Sequence, residues 1–369
     1  MAKGIYVGVD NIARKVKKLY FGVDGVARKV TKAYIGVGGV ARPFFSAEKK
    51  LVYYGTTTPL YESVITVGTT VGDYALFGNS NTKQTEVDVY DKNLVKPGKY
   101  NLSLARQGLS GTSVGNYALF AGGEDRLGQY SSRVDVYDNN LVEVDVDILS
   151  TGRASINATT VGDYALFAGG EEGSYSKKVD TYDKNLVKGT ATNLSSGRYG
   201  SAATTVGDYA LFAGGLTGLA DVDTYDKNLV KGTATNLSSG RHYIGATTVG
   251  DYALFGGGQV GSGNYPNRNT VDTYDKNLVK GTATNLTNQV SYPSATTLGD
   301  YALFAGGAYG KYGTGTNYTN VDTYDKNLVK GTADNLSSDR YRAGATTVGD
   351  YALFAGGQNS NVVDVYQLV

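Results

Sequence analysis

Arginine and tyrosine are the residues of this chain whose type and spacing suggest chemistry. Arg153, Arg198, Arg241 and Arg340 stand at one place in successive stretches of similar sequence, with Arg106 nearby and Gln289 where a further one would fall. A ring of guanidinium groups would receive an anionic ligand, such as an acidic glycan or a polymer phosphate, because each planar fork can hold an oxyanion in two bonds. The same placing suits a structural use, a bond from each arginine to a carbonyl or an aspartate of a neighbouring element. Tyr199, Tyr243, Tyr292 and Tyr341 follow close behind the arginines. Tyr130, Tyr175, Tyr265, Tyr309, Tyr312 and Tyr318 lie where the stretches differ most. Tyrosine supplies contact area at low conformational cost. These ten tyrosines and four arginines are the candidate ligand-binding set.

Other chemistries find little support. The chain of 369 residues has no Cys and one His, His242, which removes disulfides, thiol nucleophiles and Cys-ligated zinc, and argues against a His-based site. Asp223, Asp226 and Asn228 alternate as calcium ligands might, yet no closing Glu follows, and turn chemistry explains them better. The Gly-rich stretches lack a phosphate-loop Lys-Ser/Thr and a strand–helix setting. No catalytic residue, metal or cofactor is assigned, and an enzyme is not expected.

The elements that must position these residues are repeats. The phrase Gly207-Asp208-Tyr209-Ala210-Leu211-Phe212-Ala213-Gly214-Gly215 is written seven times, marked by Tyr74, Tyr117, Tyr164, Tyr209, Tyr252, Tyr301 and Tyr351. A second phrase, Val222-Asp223-Thr224-Tyr225-Asp226-Lys227-Asn228-Leu229-Val230, follows most copies. Self-similarity at this period signals a solenoid or a propeller. Within one copy, residues 202–206 form a short Thr-rich strand and Gly207-Asp208 a tight hairpin. Residues 209–213, apolar on both faces, suit a strand sandwiched between sheets. Residues 222–225 alternate as a third strand, Asp226-Lys227-Asn228 turns, and 229–237 make an edge-like fourth. Four antiparallel strands repeated radially predict an all-β, seven-bladed β-propeller over residues 48–369. The chain stops after a third strand, while Leu51-Val52-Tyr53-Tyr54-Gly55-Thr56-Thr57 matches fourth-strand text with one insertion. That N-terminal strand should complete the seventh blade, since an open ring leaves bare edges.

The meander also sorts its loops. The Gly-Asp hairpin and the Asp-Lys-Asn turn, nearly unchanged between copies, share one face. The loops after the Gly pair, which range in extent from 358–362 to 308–320, share the other with the connections between blades. Identity on one rim and diversity on the other is what a binding surface on a rigid scaffold shows; drift in unconstrained loops is the alternative.

Residues 1–47 hold a different repeat. Tyr6-Val7-Gly8-Val9, Tyr20-Phe21-Gly22-Val23 and Tyr34-Ile35-Gly36-Val37 recur every 14 residues, as do Arg14, Arg28 and Arg42. Asp24-Gly25 and Gly38-Gly39 predict two-residue hairpin turns in a small meander of about six strands. Nine Lys/Arg against Asp10 and Asp24 make this stretch basic in a chain of net charge +1. Arg14, Lys15, Arg28, Lys29 and Arg42 are the candidate attachment residues, for an acidic protein surface rather than nucleic acid, since no nucleic-acid fold accompanies them; solvated charges blunting strand edges are the alternative. No apolar run reaches membrane-spanning length, and the basic start lacks a secretion signal's apolar core. Synthesis in the cytoplasm without membrane insertion is expected.

The strand, Gly-Gly, variable loop and Val-x-x-Tyr-Asp pattern resembles the kelch repeat over about residues 48–369. It departs at Asn79-Ser80, where the first Gly pair should stand and Asn would supply a left-handed turn, and in having Leu237 and its equivalents for the family's fourth-strand Trp. Kelch proteins often use Arg at the repeated position structurally. The text Gly22-Val23-Asp24-Gly25-Val26-Ala27-Arg28-Lys29-Val30 looks like tail-associated proteins of phages and prophages of Gram-positive hosts. The resemblance implies a virion protein of the tail or baseplate, present in multiple copies. Residues 1–47 would dock on other particle proteins, and the variable face would bind a host-surface glycan or wall polymer. A purely structural tail or decoration protein, an intracellular kelch adaptor and a glycan-processing enzyme are the rivals.

Overall fold

The structure is a computed structural model. It describes the backbone except at residues 1–5, 10–11, 16–18, 24–25, 31, 38–39, 47–48, 62–64, 217, 262–265, 311–314 and 359, and the side chains from residue 49 onward outside these gaps. The chain divides into two compact units, Met1–Lys50 with Val369, and Leu51–Leu368.

The first unit contains three antiparallel ribbons: Tyr6–Val9 with Ile12–Lys15, Leu19–Val23 with Val26–Val30, and Lys32–Val37 with Val40–Ser46. Among the described residues there are six strands, paired as three separate two-stranded sheets rather than as a meander. Each 14-residue repeat turns back within itself, with Val23 opposite Val26 and Val37 opposite Val40, so pairing is satisfied inside each repeat. Arg14 and Lys15 fall in the first ribbon, Arg28 and Lys29 in the second, Arg42 in the third. Their side chains, like the Asp24-Gly25 and Gly38-Gly39 turns, lie outside the described residues.

Leu51–Leu368 forms seven four-stranded antiparallel sheets. The first strand of each lies against the first strand of the next, and the seventh against that of the first, which closes a ring. This is a seven-bladed β-propeller. Blade 4 shows the plan: Ala202–Val206, Tyr209–Ala213, Val222–Asp226 and Lys231–Ala234. The apolar second strand is buried on both faces because it feeds two cores. Ala210 and Phe212 pack with blade 3 through Leu166 and Ala168, while Leu211 and Ala213 pack with blade 5 through Ala253 and Phe255. Tyr225 packs edge-on against Phe212, ring centroids 5.9 Å apart, and its hydroxyl donates to the Thr192 carbonyl of blade 3 at 2.6 Å. The same bond recurs in every blade, down to Tyr90 on Thr58 across the closure. Threonines stitch the innermost strands: Thr205 and Thr248 donate to the Thr160 and Thr205 carbonyls, each at 2.6 Å.

The fourth strand is shorter than 229–237. Asp226 Oδ1 accepts the N–H groups of Asn228 and Val230, both at 2.8 Å, and this tight turn drives Leu229 to φ 62°. The strand therefore begins at Lys231, and Leu237 leaves the sheet to fill the core between blades 4 and 5. Asn79 does not adopt a left-handed corner; it continues its strand and pairs with Thr66.

The ring closes as the repeat text requires. Leu51–Thr57 pairs with Val363–Leu368, and the register shifts between Val365 and Tyr366. The bulge absorbs Tyr54, the inserted residue, as an extra residue opposite one partner. Tyr53 then donates to Asp364 at 2.6 Å, in the place where Lys231 pairs with Asp223 in blade 4.

Candidate functional site: the channel rim

Five connections between blades run a course set by an arginine. Arg106, Arg153, Arg198, Arg241 and Arg340 are fully buried, at most 1% exposed. They pair with Asp135, Asp180, Asp223, Asp272 and Asp364 of the third strand of their own blade. Arg198 also donates to the Phe212 carbonyl at 2.9 Å, while its own carbonyl accepts the Gly170 N–H of the preceding blade at 2.8 Å. Backbone and side chain together latch one blade to the next. Burial pulls the guanidinium pKa values of Arg198 and Arg241 down, against the opposing pull of Asp223 and Asp272.

The arginine ring open to an anion is thus corrected: Arg153, Arg198, Arg241 and Arg340 are spent inside the wall, because an unpaired guanidinium there would face no water. The register at blade 6 is corrected too. The Gly258 N–H donates to the Val290 carbonyl, as Gly215 does to Arg241, so Val290 holds the arginine position and Gln289 precedes it.

Two residues beyond the arginine position, six connections make a left-handed corner among the described residues: Gly108 (φ 67°), Ser155 (50°), Gly200 (63°), Tyr243 (56°), Tyr292 (56°) and Arg342 (58°). These corners are bonded to one another. Tyr243 N–H donates to Gly200 O at 2.7 Å, Tyr292 to Tyr243 at 2.8 Å and Arg342 to Tyr292 at 3.4 Å. The chain of bonds runs beside the central cavity, about 270 Å³, which is lined by residues 201–203, 244–246, 293–295 and 343–345 immediately after the corners.

On this frame the side chains stack. Tyr243 and Tyr292 lie with ring centroids 4.0 Å apart at 23°, and the Arg342 guanidinium sits 4.0 Å from the centre of the Tyr292 ring. Tyr199 meets Tyr243 edge-on at 6.2 Å, Tyr175 stacks on Tyr199 at 6.2 Å, and Tyr341 leans on Tyr292 at 5.8 Å. Five tyrosines and one arginine, from blade 3 to blade 7, form one continuous row. Burial pushes the Tyr292 hydroxyl up to about 12, and raises that of Tyr243 as well. Both stay protonated at neutral pH, so the row offers aromatic faces and hydrogen bonds rather than a base.

The other tyrosines are placed differently. Tyr309 is exposed on its loop, whereas Tyr318 packs against the core between blades 5 and 6. Tyr130 stands apart from the row, its pKa raised by burial and then by Glu171 of blade 3. Tyr265 and Tyr312 lie outside the described residues. Two residues of the connections carry no plain signal in the sequence. Arg342 is legible there only by counting from each arginine, where Gly108 and Gly200 mark the left-handed corner it shares. His242, fully buried beside Tyr243 at 4.5 Å between ring centroids, is lowered by burial to about 4.

Comparison with known proteins supports the architecture. The chain matches no family model and no curated protein. Among solved structures, 821 chains match. The fold is shared. One of them, a structure of YjhT, aligns with a TM-score of 0.57 at 14% identity, covering 76% of this chain and 99% of that one. At that identity the likeness is one of fold.

Proposed function

We propose that this chain is a non-enzymatic, kelch-like virion protein of a phage tail, baseplate or tail-like particle. Residues 1–47 dock it on the particle through Arg14, Lys15, Arg28, Lys29 and Arg42, and the variable rim binds a host-surface glycan or wall polymer. The observation that carries the binding role is the row from Tyr175 to Arg342. Its corners are fixed blade to blade by backbone bonds, so the aromatic faces are preorganised and a ligand loses little further entropy in ordering them. A backbone corner that accepts Gly in other copies carries Tyr or Arg here, at a conformational cost of about 1–2 kcal/mol each. The particle role rests on the N-terminal resemblance and on the basic charge of the three ribbons.

The test uses purified full-length protein and cell walls of a Gram-positive host. Sedimentation with the walls, lost when Tyr243 and Tyr292 are both replaced by Gly, supports the rim. Replacing the five basic residues by Gln should leave wall binding intact and remove the protein from purified particles. Retention in particles without wall binding would instead favour a decoration role.

A further inference from the structure

We infer that the rim is selective for saccharides bearing an anionic group, a carboxylate or a phosphodiester, with Arg342 as the residue that reads the charge. This rests on the glycan-binding reading above and narrows it. The five arginines of the latches are buried and each is matched to an aspartate. Arg342 differs in every respect. It is partly exposed, it sits at the end of the corner-to-corner bond chain, and among the described residues no carboxylate pairs with it.

Its guanidinium lies over Tyr292 at 4.0 Å, with Tyr243 and Tyr341 each 5.9 Å away. Contact with the ring positions the guanidinium without pairing it to a carboxylate. A guanidinium so placed can grip an oxyanion in two parallel bonds, while the neighbouring tyrosine faces take the sugar rings. A lysine would carry the same charge without the planar contact.

Left-handed φ at residue 342 makes the test clean. Gly108 and Gly200 occupy the same corner in other connections, so Arg342→Gly removes the charge from a backbone that Gly tolerates. Binding would be measured by calorimetry on the full-length protein, with an oligogalacturonate, a phosphodiester-linked oligosaccharide and a neutral oligosaccharide of equal length. The inference expects wild type to prefer at least one anionic probe, and Arg342→Gly to weaken that probe at least tenfold more than it weakens the neutral one. Arg342→Lys should fall between the two. The preferred anionic probe identifies the source of the charge. Equal affinity for charged and neutral probes, or an equal loss for both on substitution, overturns the inference and leaves the glycan-binding reading standing. Absence of binding to all three by a wild-type protein that also fails to sediment with walls overturns both.

Discussion

The two rims of the propeller are built on the same strands and differ in what their tight corners hold. On the constant rim Gly207, φ 54°, faces the Lys276 turn of the next blade, and an added Cβ would lie 3.1 Å from the lysine Cβ. Leu229, at φ 62°, accepts a strained backbone because its side chain packs on the core between blades 3 and 4. Both corners serve ring closure, and the neighbouring blade fixes their chemistry. In blade 2 their variation is paired: it has Asn116 and Asn139 where five other blades have the exposed ion pair seen between Asp208 and Lys227, 2.9 Å apart. On the variable rim the corner lies beside the central cavity, and Gly, Ser, Tyr and Arg all occupy it. Its bulky occupants pack chiefly on each other. Strain on one rim is tolerated for the core, and on the other for a surface.

This contrast can be broken or sharpened by substitution. The largest effect belongs to the latches. Arg198→Ala leaves Asp223 buried with only Lys231 and Ser195 beside it, and should cost about 3 kcal/mol in chemical denaturation; a loss below about 1 kcal/mol would mean that the latches do not hold the ring. Next comes the Gly pair. A Cβ at Gly170, φ 97°, would meet Ile156 Cγ2 at 2.5 Å and the Ala154 carbonyl at 2.6 Å, so Gly170→Ala should destabilise by about 2 kcal/mol.

His242 gives a smaller, pH-dependent effect. Its folded pKa of about 4 lies below the ordinary 6.5, so the unfolded chain binds the proton first as pH falls. Stability should be intact above pH 6.5 and decline between 6.5 and about 4. Melting curves at pH 7 and pH 5 should show a smaller drop for His242→Ser, since Ser291 holds that place in the next connection. An identical drop in both proteins would assign the pH dependence elsewhere. The smallest effect belongs to the exposed pairs of the constant rim: Lys227→Ala should leave the melting temperature unchanged in moderate salt.

How much of this the sequence carried depends on whether a feature repeats. Blade number, strand pairing and the closing strand were all legible, because seven near-identical copies expose the pattern and Tyr54 shows up as one residue too many. The rim was legible in part. Tyr199, Tyr243, Tyr292 and Tyr341 are legible, but Tyr199 and Tyr341 directly follow their arginines while Tyr243 and Tyr292 lie two residues beyond the arginine position, which Val290 fills ahead of Tyr292. Only the backbone distinguishes the two places, since a left-handed corner leaves no mark in the text where Tyr or Arg fills it. The arginines were found with their role undecided, because a guanidinium in sequence looks the same whether it faces a channel or an aspartate. The separate pairing of the N-terminal ribbons was hidden for a similar reason: a repeated hairpin has the same pattern whether or not neighbours join.

The most direct measurement pairs thermal melting with wall binding for the Tyr243→Gly, Tyr292→Gly double variant. Relief of two left-handed corners offsets the lost stacking, so the account predicts a melting temperature within about 3 °C of wild type together with at least a tenfold loss of binding to host wall polymer. A variant that melts like wild type and binds like wild type contradicts it.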